Sequence, residues 1–306
     1  MSISVSNVTK LYGAQKALDS VSFDIKKGEI AGFIGPNGAG KSTMMKIITG
    51  FIAANNGEVT VCGLPAGPGA IEIRRLIGYL PENNPLYPEM YVREYLGYVA
   101  DIYKMGHKSD NAVKTVIETT GLGSEQGKKI GALSKGYRQR VGLAQALIHD
   151  PTVLILDEAT TGLDPNQIVE IRNLISGVGS EKTVILSTHI MQEVEAICSR
   201  VIIIDQGRIV ADGTREEISS FAEGKGEAVA VEFSTGIDES LLHYIQGVSS
   251  VISEGDNRYT LLSTGGSDIR AAVFDFAVRH NLTVLSLHRH EKSLEDTFRQ
   301  LTGKMN

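Results

Sequence analysis

The octapeptide Gly35-Pro36-Asn37-Gly38-Ala39-Gly40-Lys41-Ser42 leaves this chain few ways to fold. It satisfies G-x-x-x-x-G-K-[ST], with the apolar run Ile30–Ile34 reading as a strand before it and residues 41–50 as a helix after it. Glycines at such a strand-to-helix turn let backbone N–H groups point inward around an anion, and the helix that follows aims its positive dipole end at the same place. Lys41 then reaches the β- and γ-phosphates of a bound triphosphate. The Ser42 hydroxyl, followed by Thr43 in the first helical turn, is placed to hold Mg²⁺.

A second carboxylate-bearing strand end completes such a site. TVLILDEATTGLD (152–164) runs through four apolar residues into Asp157 and Glu158. A carboxylate at the tip of a buried strand beside the loop can bind Mg²⁺, and Glu158 can polarise an attacking water as a general base. With TVILST (183–188) and RVIIID (200–205), this strand is short, continuous and apolar, as parallel strands covered on both faces are. The first 30 residues and GEVTVCG (57–63) read as antiparallel strands, and residues from about 86 to 150 read as a helical subdomain.

A second unit starts near Glu227. AVAVEFS (228–234) reads as a strand, DESLLHYIQ (238–246) as a helix, and Val248–Glu254 and Arg258–Thr264 as two strands. A helix at Asp268–His280, a strand at 283–289 and a terminal helix at 293–302 complete a βαββαβ order, which predicts a small ferredoxin-like α+β domain. FAEGKGE (221–227) is the expected linker.

The bulk properties narrow the partners. A formal net charge of -6 argues against nucleic acid, whose phosphate backbone needs a basic surface. Cys62 and Cys198 have no metal or redox spacing and read as buried structural thiols. The N-terminus lacks an apolar signal core, and the apolar runs are strand-sized, far from the ~20 residues a spanning helix needs.

Between the two phosphate-site motifs lies Leu133-Ser134-Lys135-Gly136-Tyr137-Arg138-Gln139-Arg140, which opens a helix and resembles the ABC signature LSGGQ. Lys135 and Tyr137 depart from that form, while Ser134 and Gly136 remain. A hydroxyl and backbone N–H groups at a helix start make an anion site. The resemblance to ABC ATPases implies an α/β P-loop NTPase cassette over residues 1–220, with a mixed sheet core and the helical subdomain, followed by the accessory domain at 228–306. It further implies that Tyr12 stacks on adenine, that Gly162-Leu163-Asp164 forms the D-loop at a dimer interface, and that His189 is the switch histidine at the γ-phosphate. The family's Q-loop glutamine is Glu82 here, a carboxylate that can ligate Mg²⁺ and adds negative charge beside the phosphates. NNPLYPEM (83–90) occupies the family's contact surface for a membrane partner.

The implied protein is an ATP- and Mg²⁺-dependent ATPase, with Glu158, His189 and Lys41 as its catalytic groups. Two copies would sandwich two ATPs, each Ser134 and Gly136 closing over the nucleotide of the other. A multi-spanning permease would be a separate chain, and the ATPase would sit peripherally on the cytoplasmic face of the cell membrane. The tail looks like that of ABC-2 exporter subunits, and the whole layout is similar to gliding-motility-associated ATP-binding subunits. The alternative is a non-transport ABC ATPase acting on ribosomes or DNA. One cradle, one signature, no coiled-coil insertion and the acidic balance all disfavour it. A binding module that switches on ATP without turnover is disfavoured by the intact Asp157-Glu158 pair.

Overall fold

A computed structural model of the chain describes residues 1–221, 228–264, 267–290, 297–298 and 301–302. It falls into two compact units, Met1–Arg215 and Glu216–Asn306.

Two sheets build the first unit. β1 (Ile3–Tyr12), β2 (Gln15–Ile25), β4 (Asn56–Val61) and β5 (Leu64–Pro65) form an antiparallel sheet in the order β2-β1-β4-β5. The other sheet contains β3 (Ile30–Ile34), β6 (Ile77–Leu80), β7 (Val153–Asp157), β8 (Thr183–Thr188), β9 (Arg200–Asp205) and β10 (Arg208–Thr214), in the order β10-β9-β3-β8-β7-β6. Its strands are parallel except for β10, which returns antiparallel beside β9.

Helix α1 (Lys41–Ile48) lies in the core these sheets share. Its Met44, Met45, Ile47 and Ile48 pack with Ile3 and Val5 of β1, Phe23 of β2, Val153 and Ile155 of β7, Ile185 of β8 and Ile202 of β9. The intervening Leu154, Leu156, Val201 and Ile203 are equally buried, so β7 and β9 are covered on both faces. That two-sided burial is why these strands read as continuous apolar runs rather than alternating ones. The short α2 (Ile71–Leu76) leads into β6 and adds Ile73 to the core.

Between β6 and β7 come α3 (Val92–Ile102), α4 (Ser109–Thr119) and α5 (Lys135–Leu147), which pack on one another. Val92, Tyr95, Leu96, Val99 and Ala100 set a helical stripe on the buried side of α3. Ser134 caps α5, its Oγ accepting from Tyr137 N at 3.4 Å. The subdomain is fastened to the sheet by His149, which stacks on Tyr103 with ring centroids 3.9 Å apart. Its Nε2 lies 3.1 Å from Ile77 O at the start of β6, while Nδ1 is buried without a partner. Burial lowers the imidazole to about 4.

Helices α6 (Pro165–Gly179) and α7 (Met191–Ile197) follow β7 and β8, and α8 (Arg215–Phe221) follows β10. Asp164 caps α6, Oδ1 accepting from Gln167 N at 3.0 Å, with Pro165 in the first turn. Both cysteines are free. Cys198 is buried and its thiol is pushed up to about 12, but Cys62 is only half-buried. The expectation of two buried thiols fails at Cys62 because it sits in the turn after β4, at φ 51.

In the second unit, β11 (Ala228–Phe233), α9 (Glu239–Leu242), β12 (Val248–Gly255), β13 (Arg258–Ser263), α10 (Arg270–Arg279) and β14 (Val284–His290) follow the βαββαβ order. The strands form one antiparallel sheet, β12-β13-β11-β14. Val229, Val231 and Phe233 on one face of β11 join Leu242 from α9 and Val273, Phe276 and Ala277 from α10 in a single core. The helix expected over 238–246 is shorter, because Tyr244 and Ile245 bond back only three residues and Gly247 turns the chain at φ 90. The expected linker 221–227, beyond Phe221, and most of the expected helix 293–302 lie outside the described residues.

Candidate functional site

The site is assembled at the carboxyl ends of three neighbouring parallel strands, β3, β8 and β7, where loops can gather without breaking the sheet. β3 delivers the loop of Gly35, Pro36, Asn37, Gly38, Ala39 and Gly40. At its end Gly40 adopts φ 110, and a Cβ there would stand 2.5 Å from Ala17 O, so only glycine fits. Lys41, Ser42 and Thr43 open α1. The same close approach sets the β1–β2 hairpin against the loop, and that hairpin carries the half-exposed ring of Tyr12, paired with Gln15. Lys10 Nζ stands 5.4 Å from the centroid of the Tyr12 ring.

Lys41 is only 6% exposed. Its Nζ donates to Gly35 O at 2.7 Å and Pro36 O at 3.3 Å, and lies 3.9 Å from Glu158 Oε1. Burial pushes the ammonium below the usual lysine value, while the carboxyls of Glu158, Asp157 and Glu82 push it back up. That balance brings Glu82, exposed in the loop after β6, into the same electrostatic neighbourhood.

Asp157 ends β7 and is buried, with Ser187 Oγ donating to its Oδ1 at 2.7 Å. The next residue, Glu158, takes φ 55, an uncommon left-handed backbone for a non-glycine residue. Its N–H donates to Ser187 O at 2.9 Å, which fixes the turn. Its carboxyl accepts from Thr161 Oγ1 at 2.8 Å and from His189 Nδ1, which is 2.9 Å from both oxygens. A carboxylate accepts, so Nδ1 is the donor of this pair when Glu158 is ionised.

The donors Ser42, Asp157 and Glu82 present oxygen only, the chemistry that suits Mg²⁺. Among the described residues no group of three or more His, Cys, Asp and Glu converges as a metal cage. A metal held by Ser42 and Asp157 would need phosphate oxygens and water for its remaining ligands, the usual Mg²⁺ arrangement.

Lys41, Asp157, Glu158 and His189 are thus brought together, with the loop and Glu82 beside them. Ser134 and Gly136 are engaged elsewhere in the chain. A Cβ on buried Gly136 would meet the Gln167 amide of α6 at 2.7 Å, and Lys135 Nζ lies over Gly162. Asp164 of the expected D-loop serves as the α6 cap. On α3 and the loop before it, Tyr87, Tyr91 and Tyr98 are exposed, Tyr87 standing edge-on to Tyr95 and Tyr98 at about 6 Å.

The sequence reading passed over the hydroxyls that orient the carboxyls, Thr161 and Ser187. It also passed over Glu193 on α7, which is 1% exposed and accepts from both Thr160 and Thr188. Their only signal was a run of Ser and Thr beside the ends of β7 and β8.

The profile of the family described as ABC transporter matches residues 18–161. The linearmycin resistance ATP-binding protein LnrL of Bacillus subtilis (strain 168) is 33% identical over 99% of this chain and 98% of its own length. The bacitracin transport ATP-binding protein BcrA of Bacillus licheniformis is 34% identical over 98% of this chain and 97% of its own. Among solved structures, the ATP-binding cassette MJ0796, in a dimeric post-hydrolysis state bound to ADP and Pi, is similar with a TM-score of 0.64 and 27% identity, over 69% of this chain and 98% of that one.

Proposed function

This chain belongs to the ABC transporter family as an ATP-binding subunit with ATPase activity, and from that membership we propose that it powers export through a separate membrane-spanning subunit. The observation that carries the reading is the near full-length match to LnrL and BcrA. That match runs through the second unit as well as the first. Among the described residues no helix is long and apolar enough to cross a membrane. In this reading the membrane-spanning partner is another chain, and the ATPase attaches peripherally at the cytoplasmic face. Exposed Tyr87 in the 83–90 loop, with exposed Tyr91 and Tyr98 after it, offers that partner a surface of the amphipathic kind favoured at interfaces. In this reading residues 1–220 are the motor, 221–227 the linker and 228–306 an accessory domain.

Within the motor, Lys41 and the N–H groups of residues 35–43 bind the triphosphate, and Tyr12 offers a flat face to adenine. Mg²⁺ bound at Ser42 and Asp157, with Glu82 nearby, supplies charge neutralisation at the phosphates. Glu158 takes the proton of the attacking water, its carboxyl oriented by Thr161 and His189, and His189 serves as the switch residue beside the γ-phosphate. Ser134 and Gly136 of a second copy close the site, so that two chains stacked head to tail enclose two nucleotides. Closure moves the membrane partner and hydrolysis resets it.

Tagged Glu158→Gln protein, purified from membranes with ATP, tests the proposal. We expect turnover to fall on the order of 10²–10⁴-fold with ATP binding retained, and a multi-spanning membrane protein to come with it. Recovery of ribosomes or DNA without a membrane protein would overturn the transport reading. The narrower likeness to gliding-motility subunits stands or falls on whether deleting the gene stops gliding over a surface.

A further inference from the structure

Beyond Asp157, which takes Ser187 Oγ at 2.7 Å, two carboxyl groups tie the loop after β7 to the end of β8 and the residues that follow it. The first is Glu158, which takes Thr161 Oγ1 from its own loop and His189 Nδ1 from the other. The second is Glu193, two residues into α7, which takes Thr160 Oγ1 through Oε1 and Thr188 Oγ1 through Oε2, the latter at 2.9 Å. Thr160 and Thr161 are neighbours, as are Thr188 and His189. The two carboxyls therefore clamp the same pair of loops at adjacent rungs. Glu193 is 1% exposed, and both of its threonines are buried, at 2% and 0%. Thr188 Oγ1 also accepts from Ile190 N at 3.1 Å, which leaves its own proton committed to Glu193.

A buried carboxyl is costly unless its hydrogen bonds are made, and a helix start that needed only an acidic residue could have kept it in solvent. We propose that Glu193 is a positioning residue for ATP hydrolysis: by joining Thr160 to Thr188 it sets the separation at which Glu158 meets His189. Both of its oxygens are taken by the threonines, and it acts only through that pair. Small errors in such a separation are expensive in rate, about 10²-fold for a displacement near 1 Å. The inference rests on the assignment of Glu158 and His189 as base and switch histidine.

The test uses the full chain with Glu193→Ala and, as a variant of nearly native volume, Thr160→Val. Each is made alone and with His189→Ala, and exposed Gln192→Ala serves as the control. We expect both single variants to bind ATP with wild-type affinity and to keep KM within about 2-fold, while kcat falls on the order of 10-fold or more. In the His189→Ala background the same substitutions should cost almost nothing further, because the pair they position is already gone. Gln192→Ala should leave all constants unchanged. An unaltered kcat in Thr160→Val and Glu193→Ala overturns the proposal. So does a loss that adds in full to that of His189→Ala, or a parallel loss of ATP affinity, since either marks a merely structural role. Glu158→Gln measured alongside separates the two levels. If it still turns over, the base assignment is wrong and this inference falls with it; if it is inert while Glu193→Ala is normal, only the positioning role is wrong.

Discussion

Residues 35–41 and residues 133–136 both bring backbone N–H groups to the first turn of a helix, and they differ in what surrounds them. Around the first, Gly40 is pressed against Ala17 O, Lys41 is buried, and the carboxyls of Asp157 and Glu158 stand close by. Around the second, Ser134 and Lys135 are exposed between buried Leu133 and Gly136, the latter covered by Gln167 of α6. The first place is finished within one chain. The second has donors but no opposite wall, and donors facing water gain little from an anion until water is excluded. A second copy, as proposed, would supply that wall.

Gly40→Ala should break the finished side most severely. The new Cβ meets Ala17 O, and alanine at φ 110 carries a backbone penalty of about 1–3 kcal/mol. We expect ATP affinity measured by calorimetry to fall about 100-fold or more. Ser134→Ala acts on the open side, and there the contrast sharpens. ATP binding to the isolated chain should stay within error, while turnover drops on the order of 10–100-fold and ATP-dependent dimerisation weakens in sedimentation. Equal loss of binding in both variants would mean that the two places work within one chain.

His149 joins the helical part that carries the second place to the sheet that carries the first, since it stacks on Tyr103 and contacts Ile77 O at the edge of the sheet. Burial holds its pKa near 4 against an ordinary 6.5, so between those values the unfolded chain binds the extra proton. Stability from this group is complete above pH 6.5 and is lost as pH falls toward 4, by up to about 3 kcal/mol. His149→Phe keeps the stack and removes the proton. Its melting temperature should be slightly lower at pH 7.5, for want of a hydrogen bond worth about 1 kcal/mol, and should decline less between pH 6.5 and 4. An unchanged acid-side slope would show that His149 is not the titrating group.

The loop and both carboxylates at β7 were legible because their residues are consecutive, so the spacing itself states the chemistry. The same is true of β7, β8 and β9, whose unbroken apolar runs follow from burial on both faces. Glu193 was not legible. Its partners are 33 and 5 positions away, and an acidic residue in a first helical turn reads as an ordinary solvated one. The early end of α9 and the half-exposed Cys62 were missed for a related reason. Both are decided by a local turn, at Gly247 and at Cys62 itself, which side-chain periodicity does not register.

The left-handed backbone at Glu158 carries one more consequence. A non-glycine residue held at φ 55 costs on the order of 1 kcal/mol, and it sits at the residue proposed to take the proton. Glycine would be relaxed there, so Glu158→Gly should melt at a higher temperature than Glu158→Ala, which loses the same bonds to Thr161 and His189 but keeps the strain, with both variants hydrolysing nothing. The strain is thus carried by the residue that turnover needs, and the one residue type that would relax it lacks the carboxyl.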